Sequence, residues 1–153
     1  MNEIKAYTEA IQYIKIAVGE EFYGIDISIV DNIVRMQRIT RVPNVAKYIK
    51  GVINLRGEIV PIMNLRLKMG IEEIEYTKAT RIIIIKTEMY GKIGLIVDAV
   101  KEVVALEESQ IEKIPYDNSE EHFVNAVGKI ENSLISLLDI NVVLNDKQAR
   151  EDA

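Results

Sequence analysis

The sequence predicts a mainly β fold, and three observations support that expectation. Isoleucine and valine supply 26 and 15 of the 153 residues, and β-branched side chains favour extended backbone over helix. Few segments repeat at helical spacing. The apolar runs divide into nine or ten short strands without a βαβ rhythm, which is typical of small barrels or of a sandwich. The residues alone do not choose between those two architectures.

Composition limits the class of protein further. A chain of 153 residues suits one compact domain, or two very small ones that share a core. It contains no cysteine, which removes disulfides and thiolate chemistry and is compatible with a reducing cytoplasm. Residues 1–7 lack an apolar signal-peptide core, and the apolar runs fall far short of the roughly 18 residues that a membrane span requires. We therefore expect a soluble cytoplasmic protein without direct membrane insertion.

The first half should begin with a hairpin. Ile11–Val18 is the first strand, Gly19 and Glu20 form the turn, and residues 21–27 are the mate. Residues 28–34 mix helical spacing with β-branched composition, and we predict a short helical turn followed by a strand that runs to Thr40. Pro43 then breaks the chain, and Asn44 is predicted to cap a short helix through Lys50.

The central hairpin comes next. Two β-branched runs, 52–55 and 58–63, face each other across Leu55, Arg56 and Gly57. Glycine in third place suits a three-residue loop, a type I turn closed by a G1 bulge. Arg56 would lie at the apex, where its guanidinium can be offered to another molecule. Pro61 lacks the N–H group that a central strand needs, so this part of the second strand should run along an edge or through a bulge.

The second half continues mostly in strands. Arg81–Thr87 contains four consecutive isoleucines and should be buried on both faces. Asp139 is predicted to cap a terminal helix with an apolar face. The other predicted elements are a helical turn over 65–69 closed by Gly70, a long polar loop over 72–80, a turn over 89–91, strands over 92–97 and 100–106, an irregular connection over 107–121, and a last hairpin formed by Val124–Ile130 and 134–138.

Groups that could support catalysis are scarce. The chain has one histidine, His122, which we expect to be solvated, and it contains none of the common nucleophile, phosphate-loop or zinc-protease motifs. Asp26 and Asp98 each lie in an apolar strand, either as a buried acid pair or, more commonly, as carboxylates that accept backbone N–H groups. We therefore predict no enzyme activity, no catalytic residue, no cofactor and no metal site.

Charge is distributed unevenly along the chain. Between Ile33 and Gly70 there are eight basic residues and one acid, which gives that segment +7 and the remainder −12 of the total −5. Such a segment can steer an acidic partner or a phosphate, although solvated side chains on exposed strands would look the same. Nucleic acid is disfavoured, because Tyr48 is the segment's single aromatic and the overall charge opposes backbone binding.

Three blocks of sequence resemble a known family. The run from Tyr48 to Leu65, with the blocks 23–27 and 94–100 in matching order and spacing, closely resembles the CheW family of bacterial chemotaxis coupling proteins. The resemblance implies two five-stranded SH3-like β-barrels packed around a shared hydrophobic core, with short helices including one at the C-terminus. Residues 1–153 would form a single CheW-like domain of two intertwined barrel subdomains, ordered over about 11–147.

The resemblance also implies a function without catalysis. CheW proteins are adaptors that couple chemoreceptor cytoplasmic tips to the regulatory domain of the histidine kinase CheA, so we expect this chain to be a monomer when free and to be recruited to membrane-associated receptor arrays. The family's functional arginine maps onto Arg56 through the four-residue match N-L-R-G. Groove positions map onto Val30, Gly51, Gly94, Val100 and Val103. Two neighbours depart from the family pattern: Asn32 replaces a commonly acidic residue and Arg81 a valine.

Two alternatives remain open at this point. The chain could be a CheW-like regulatory module of another kinase pathway, such as the regulatory end of CheA or the front part of a CheV protein. It could also be a small barrel that binds nucleic acid or a small ligand, in which case phosphate contacts would weaken steeply with added salt.

Overall fold

The computed structural model describes residues 10–115 and 122–145, and within them the fold is built almost entirely from strands. The eleven strands of these two ranges are β1 (Ile11–Val18), β2 (Glu21–Asp26), β3 (Val30–Arg35), β4 (Ile49–Leu55), β5 (Glu58–Asn64), β6 (Arg81–Thr87), β7 (Gly91–Val97), β8 (Ala99–Leu106), β9 (Ile111–Lys113), β10 (Val124–Ile130) and β11 (Ser133–Leu138). Two short helices, α1 (Leu65–Lys68) and α2 (Ile140–Leu144), complete it. The predicted mainly β class is confirmed.

The strands form two sheets whose order interleaves the chain. One sheet has the order β8-β1-β2-β11-β10-β9, and the other has the order β3-β6-β7-β5-β4. The first sheet therefore joins the N-terminal hairpin to the C-terminal strands, with β2 and β11 running parallel. Its sixth strand, β9, lies within the predicted irregular connection over 107–121, of which residues 116–121 are outside the described part.

Three apolar clusters explain how these sheets are held together. Because side chains alternate along a strand, Ile82 and Ile84 of β6 belong to a cluster inside the five-stranded sheet, whereas Ile83 and Ile85 belong to a cluster shared with Ile16 of the other sheet. The third cluster fills the six-stranded sheet around Leu106. All four isoleucines are fully buried, as predicted. The shared cluster is the common core of the two sheets.

The segment after β3 differs from the prediction. The helical turn is a single 3₁₀ turn, Ile27–Ile29, but the strand ends at Arg35 rather than at Thr40. Thr40 makes an isolated bridge to Val52, donating to and accepting from its backbone at 2.8 and 2.9 Å, which joins the chain after outer strand β3 to outer strand β4. The predicted helix from Asn44 through Lys50 is wrong. Asn44 has φ 61°, whereas a helix N-cap needs extended backbone.

The central hairpin forms, but its turn is shorter than predicted. Leu55 pairs with Glu58, so the loop consists of Arg56 and Gly57 alone. Their φ angles of 52° and 87° match a type I′ turn, which suits the twist of the flanking strands. Asn54 stabilises the turn because its Oδ1 accepts the Gly57 N–H at 2.9 Å. The predicted type I turn with a G1 bulge is therefore wrong.

Proline and the helix caps fit their positions. Strand β5 lies between β4 and β7, yet its parallel pairing with β7 begins only at Ile62, so Pro61 pairs with Val52 alone and its missing N–H is tolerated. Asn64 caps α1 by accepting the Leu67 N–H. Asp139 caps α2 by accepting the Val142 N–H, as predicted, and α2 adds Val143 to the shared core.

Candidate functional site

Arg56 occupies the tip of the β4–β5 hairpin. Its side chain is exposed, and it makes no hydrogen bond or ion pair with any residue of the ranges 10–115 and 122–145. The positive φ angle is unusual for a residue other than glycine, and the Asn54 side chain secures the turn from beneath. Within the described residues the guanidinium is therefore free of hydrogen bonds and ion pairs, and it is available to a partner.

Lys92 brings the Arg56 turn and the start of β3 to the same end of the sheet. Its Nζ lies 3.2 Å from a carboxylate oxygen of Glu58, two residues after Arg56, and 3.6 Å from Asp31, which lies between Val30 and Asn32. The hydrogen bond to Glu58 and the charge of Asp31 raise the pKa of Lys92 above its ordinary value. Arg56, Val30 and Asn32, all singled out from the sequence, are thus close in the chain to the residues of one ionic cluster, which consists of Lys92, Glu58 and Asp31.

Three valines border the seam between the two sheets. Val30 and Val100 are partly buried against the shared core. Val103 lies opposite Ile14 of that core across the β1–β8 pair, and half of its surface is exposed. We call these three side chains, one on β3 and two on β8, the apolar edge, because each lies on the shared core or directly opposite one of its residues. This edge is the one part of the predicted groove built from apolar side chains that reach the surface.

The two predicted glycines do not line that edge. Gly51 is buried with φ 140°, and a Cβ there would overlap the carbonyl oxygen of Thr40. A Cβ at Gly94 would lie 2.6 Å from Ile62 Cδ1 and 2.7 Å from Ile82 Cγ2, inside the five-stranded sheet. Gly51 leaves room for the backbone of Thr40 and Gly94 leaves room for two isoleucine side chains, so the geometry gives both glycines a structural role.

The two departures from the family pattern have separate surroundings. The Oδ1 of Asn32 accepts the N–H of Ile33 at 2.8 Å, next to the β3 bulge. Arg81 lies at the opposite end of β6 from the Lys92 cluster, where its Nη1 donates to the carbonyls of Lys78 and Thr80 at 2.7 and 2.8 Å. The structure therefore does not place Arg81 with Arg56.

The two aspartates singled out in the sequence are not an acid pair. Asp26 accepts the Ser28 N–H and caps the 3₁₀ turn. Asp98 accepts the Gly19 N–H at 2.8 Å and binds the guanidinium of Arg66 at 2.9 Å. The hydrogen bond to Asp98 raises the pKa of Arg66. Arg66 was missed because 32 residues separate it from Asp98, and neighbouring residues in the sequence gave no signal of the contact.

His122 is half-buried rather than fully solvated, and the next residue, Phe123, packs against the shared core. The described ranges contain no group of three or more metal-ligating side chains. Among those residues no helix is long and apolar enough to cross a membrane.

Comparison with known proteins identifies the family. The model of the CheW-like domain matches residues 12–148. The chemotaxis protein CheW of Bacillus subtilis is 37% identical over 99% of this chain and 95% of its own length. The chemotaxis protein CheW of Klebsiella aerogenes is 30% identical over 97% of this chain and 90% of its own length. The crystal structure of the scaffolding protein TtCheW from Thermoanaerobacter tengcongensis superimposes with a TM-score of 0.82 at 33% identity, covering 90% of this chain and 94% of that one. The chain belongs to the CheW-like domain family.

Proposed function

We propose that this chain is a non-catalytic adaptor of bacterial chemotaxis, which couples the cytoplasmic tips of chemoreceptors to the histidine kinase CheA. Membership of the CheW-like family is the observation that carries the proposal. The named relatives are chemotaxis proteins, and the structural neighbour is described as a scaffolding protein. The adaptor would act in the cytoplasm at receptor arrays, as a monomer before it assembles.

The apolar edge is the part of the surface that suits a receptor helix. Val30, Val100 and Val103 flank the seam between the sheets, and Val103 leaves half of its surface exposed. An amphipathic helix can bury its apolar face in such a groove, and the anchoring contacts then recur every three or four residues along it. We assign this edge to the receptor tip.

Arg56 supplies a different kind of contact. A guanidinium that is free of internal partners can make two parallel hydrogen bonds to a carboxylate, which fixes orientation as well as adding affinity. Its place at a rigid two-residue turn limits the entropy lost on binding. We assign Arg56 to assembly with the regulatory domain of CheA.

The two sheets would act as one unit in this role. The shared core takes Ile16 and Ile25 from one sheet and Ile83 and Leu95 from the other, and the chain crosses between the sheets before β3 and after β7. We therefore treat residues 1–153 as a single CheW-like domain of two intertwined subdomains. Coupling would arise because one rigid body holds both partners in a fixed relative geometry.

Calorimetric titration against the regulatory domain of CheA and against a receptor-tip fragment tests the proposal. The wild type should bind both partners. Arg56→Glu should weaken the binding of CheA and leave the fold unchanged, because the Arg56 side chain makes no hydrogen bond or ion pair with the described part of the chain. Lys47→Glu is the matched control, since it makes the same charge change at an exposed residue before the other end of the hairpin. Wild-type protein that binds neither partner would overturn the proposed function.

A further inference from the structure

Two arginines face each other on neighbouring strands. Arg35 of β3 and Arg81 of β6 are direct partners in the antiparallel register. Like charges in that arrangement repel, because side chains directly opposite lie only about 5 Å apart at Cβ. Arg81 is half-buried and held by the carbonyls of Lys78 and Thr80. Arg35 is exposed and has neither a hydrogen bond nor an ion pair within the described residues.

The same sheet contains a second like-charge pair, and there the charge is compensated. Lys86 and Lys92 are opposite each other on β6 and β7, but carboxylate oxygens of Asp31 and Glu58 lie 3.6 and 3.2 Å from Lys92. At the arginine pair the nearest acid along β7 is Asp98, which follows Val97, the residue opposite Arg81. Both carboxylate oxygens of Asp98 already bind Arg66. Within the described ranges the arginine pair therefore has no carboxylate partner, and an anion bound there would reduce the repulsion between the two charges.

The pair continues the apolar edge described above. In the β3–β6 register Val30, Ile33 and Arg35 lie opposite Ile85, Ile83 and Arg81, so all three point to the side on which Ile83 and Ile85 enter the shared core. Ile33 is 37% exposed. Along the outer strand β3, the surface thus runs from apolar at Val30 and Ile33 to cationic at Arg35.

We propose that Arg35 and Arg81 together bind a carboxylate side chain of the receptor helix that docks on this edge. The inference rests on the proposed function and deepens it by specifying the chemistry of the partner. Ile33 and Arg35 are two residues apart, or about 7 Å along a strand, which is little more than the 5.4 Å pitch of a helix. The acid of the receptor therefore lies three or four residues from the apolar side chain that covers Ile33.

Binding of a receptor-tip fragment to the full chain tests this assignment. Arg35→Glu is the principal variant, because Arg35 is exposed and makes no hydrogen bond or ion pair within the described ranges whose loss could disturb the fold. Arg81→Gln removes the second charge, and circular dichroism with CheA binding reports whether its loop contacts matter for folding. Lys113→Glu, at an exposed residue of β9 in the other sheet, matches the charge change of Arg35→Glu.

The expected result is selective loss of receptor binding. Arg35→Glu should lower the affinity for the receptor-tip fragment on the order of tenfold, the size expected for a hydrogen bond to a charged group. Lys113→Glu should bind the fragment like the wild type, and Arg35→Glu should bind CheA like the wild type. A receptor fragment in which the acid is changed to its amide should bind the wild type more weakly than the unchanged fragment does. The same change should not weaken its binding to Arg35→Glu.

Two other results would count against the inference. Equal receptor binding by the wild type and both arginine variants would overturn it and leave the adaptor function standing. If the wild type bound neither the receptor nor CheA, the proposed function would fail, and this inference with it.

Discussion

Gly51→Ala should destabilise the fold strongly, although Gly51 was first singled out as a groove residue. The substitution would place a Cβ against the carbonyl oxygen of Thr40, and that backbone atom cannot move away as a flexible side chain could. The two hydrogen bonds between Thr40 and Val52, at 2.8 and 2.9 Å, would have to break or distort. Those bonds connect the segment after β3 to β4.

The magnitude follows from these contacts. Two hydrogen bonds contribute about 2 kcal/mol net, and forcing an L-residue into φ 140° costs about 1 to 3 kcal/mol. The free energy of unfolding should therefore fall by about 3 to 5 kcal/mol. For a domain of this size each kcal/mol lowers Tm by roughly 2 to 4 °C, so a decrease of roughly 6 to 20 °C is expected.

Thermal unfolding followed by circular dichroism measures the effect. Gly57→Ala is the matched control, because Gly57 also has positive φ, at 87°, but a Cβ there meets no atom within 4 Å. Its cost should be limited to backbone strain of about 1 to 2 kcal/mol. If Gly51→Ala melted at the wild-type temperature, or no lower than Gly57→Ala, the structural role given to Gly51 would be wrong.

Four further predictions address other contacts. Gly94→Ala should lower the urea midpoint by the equivalent of about 1 to 3 kcal/mol, because its Cβ meets Ile62 and Ile82; an unchanged midpoint would count against that packing. Arg66→Ala should cost about 1 to 3 kcal/mol in chemical denaturation by depriving the partly buried Asp98 of its cation, whereas Lys101→Ala, at an exposed residue, should cost little. Burial, with the nearby charge of Asp26, raises the pKa of the Tyr13 hydroxyl above its ordinary value of 10.0. Because the unfolded chain loses this proton at a lower pH than the folded protein, the free energy of unfolding should fall as pH rises through 10 and beyond. The same decline in Tyr13→Phe would contradict this. Arg56→Ala should leave Tm unchanged while reducing CheA binding, and a lower Tm would show that Arg56 stabilises the turn.

Elements defined by local pattern could be predicted from the sequence. The four isoleucines of β6, the hairpin around Arg56 and the cap at Asp139 follow from residue type and spacing within a few positions. The type of the hairpin turn could not be predicted in this way. Type I′ turns usually carry asparagine or aspartate before glycine. This turn has Arg56 in that position, so the sequence lacks the usual signal for a type I′ turn.

Features that depend on register or on distant contacts were not predicted. The Arg66–Asp98 ion pair joins residues 32 positions apart. The juxtaposition of Arg35 and Arg81 depends on the β3–β6 register, which residue type alone does not determine. Gly51 and Gly94 were singled out by resemblance, but only the packed structure shows that a Cβ at either position would collide with neighbouring atoms.

Reconstituted phosphorylation assays test the central claim most directly. CheA, a receptor-tip assembly and this chain would be combined, and the rate of CheA phosphorylation would be followed with and without the chain. The adaptor account predicts that receptor control of the kinase requires the chain, is lost with Arg56→Glu and is retained with Lys47→Glu. Receptor control that is equally strong without the chain, or absent with the folded wild type, would contradict the account.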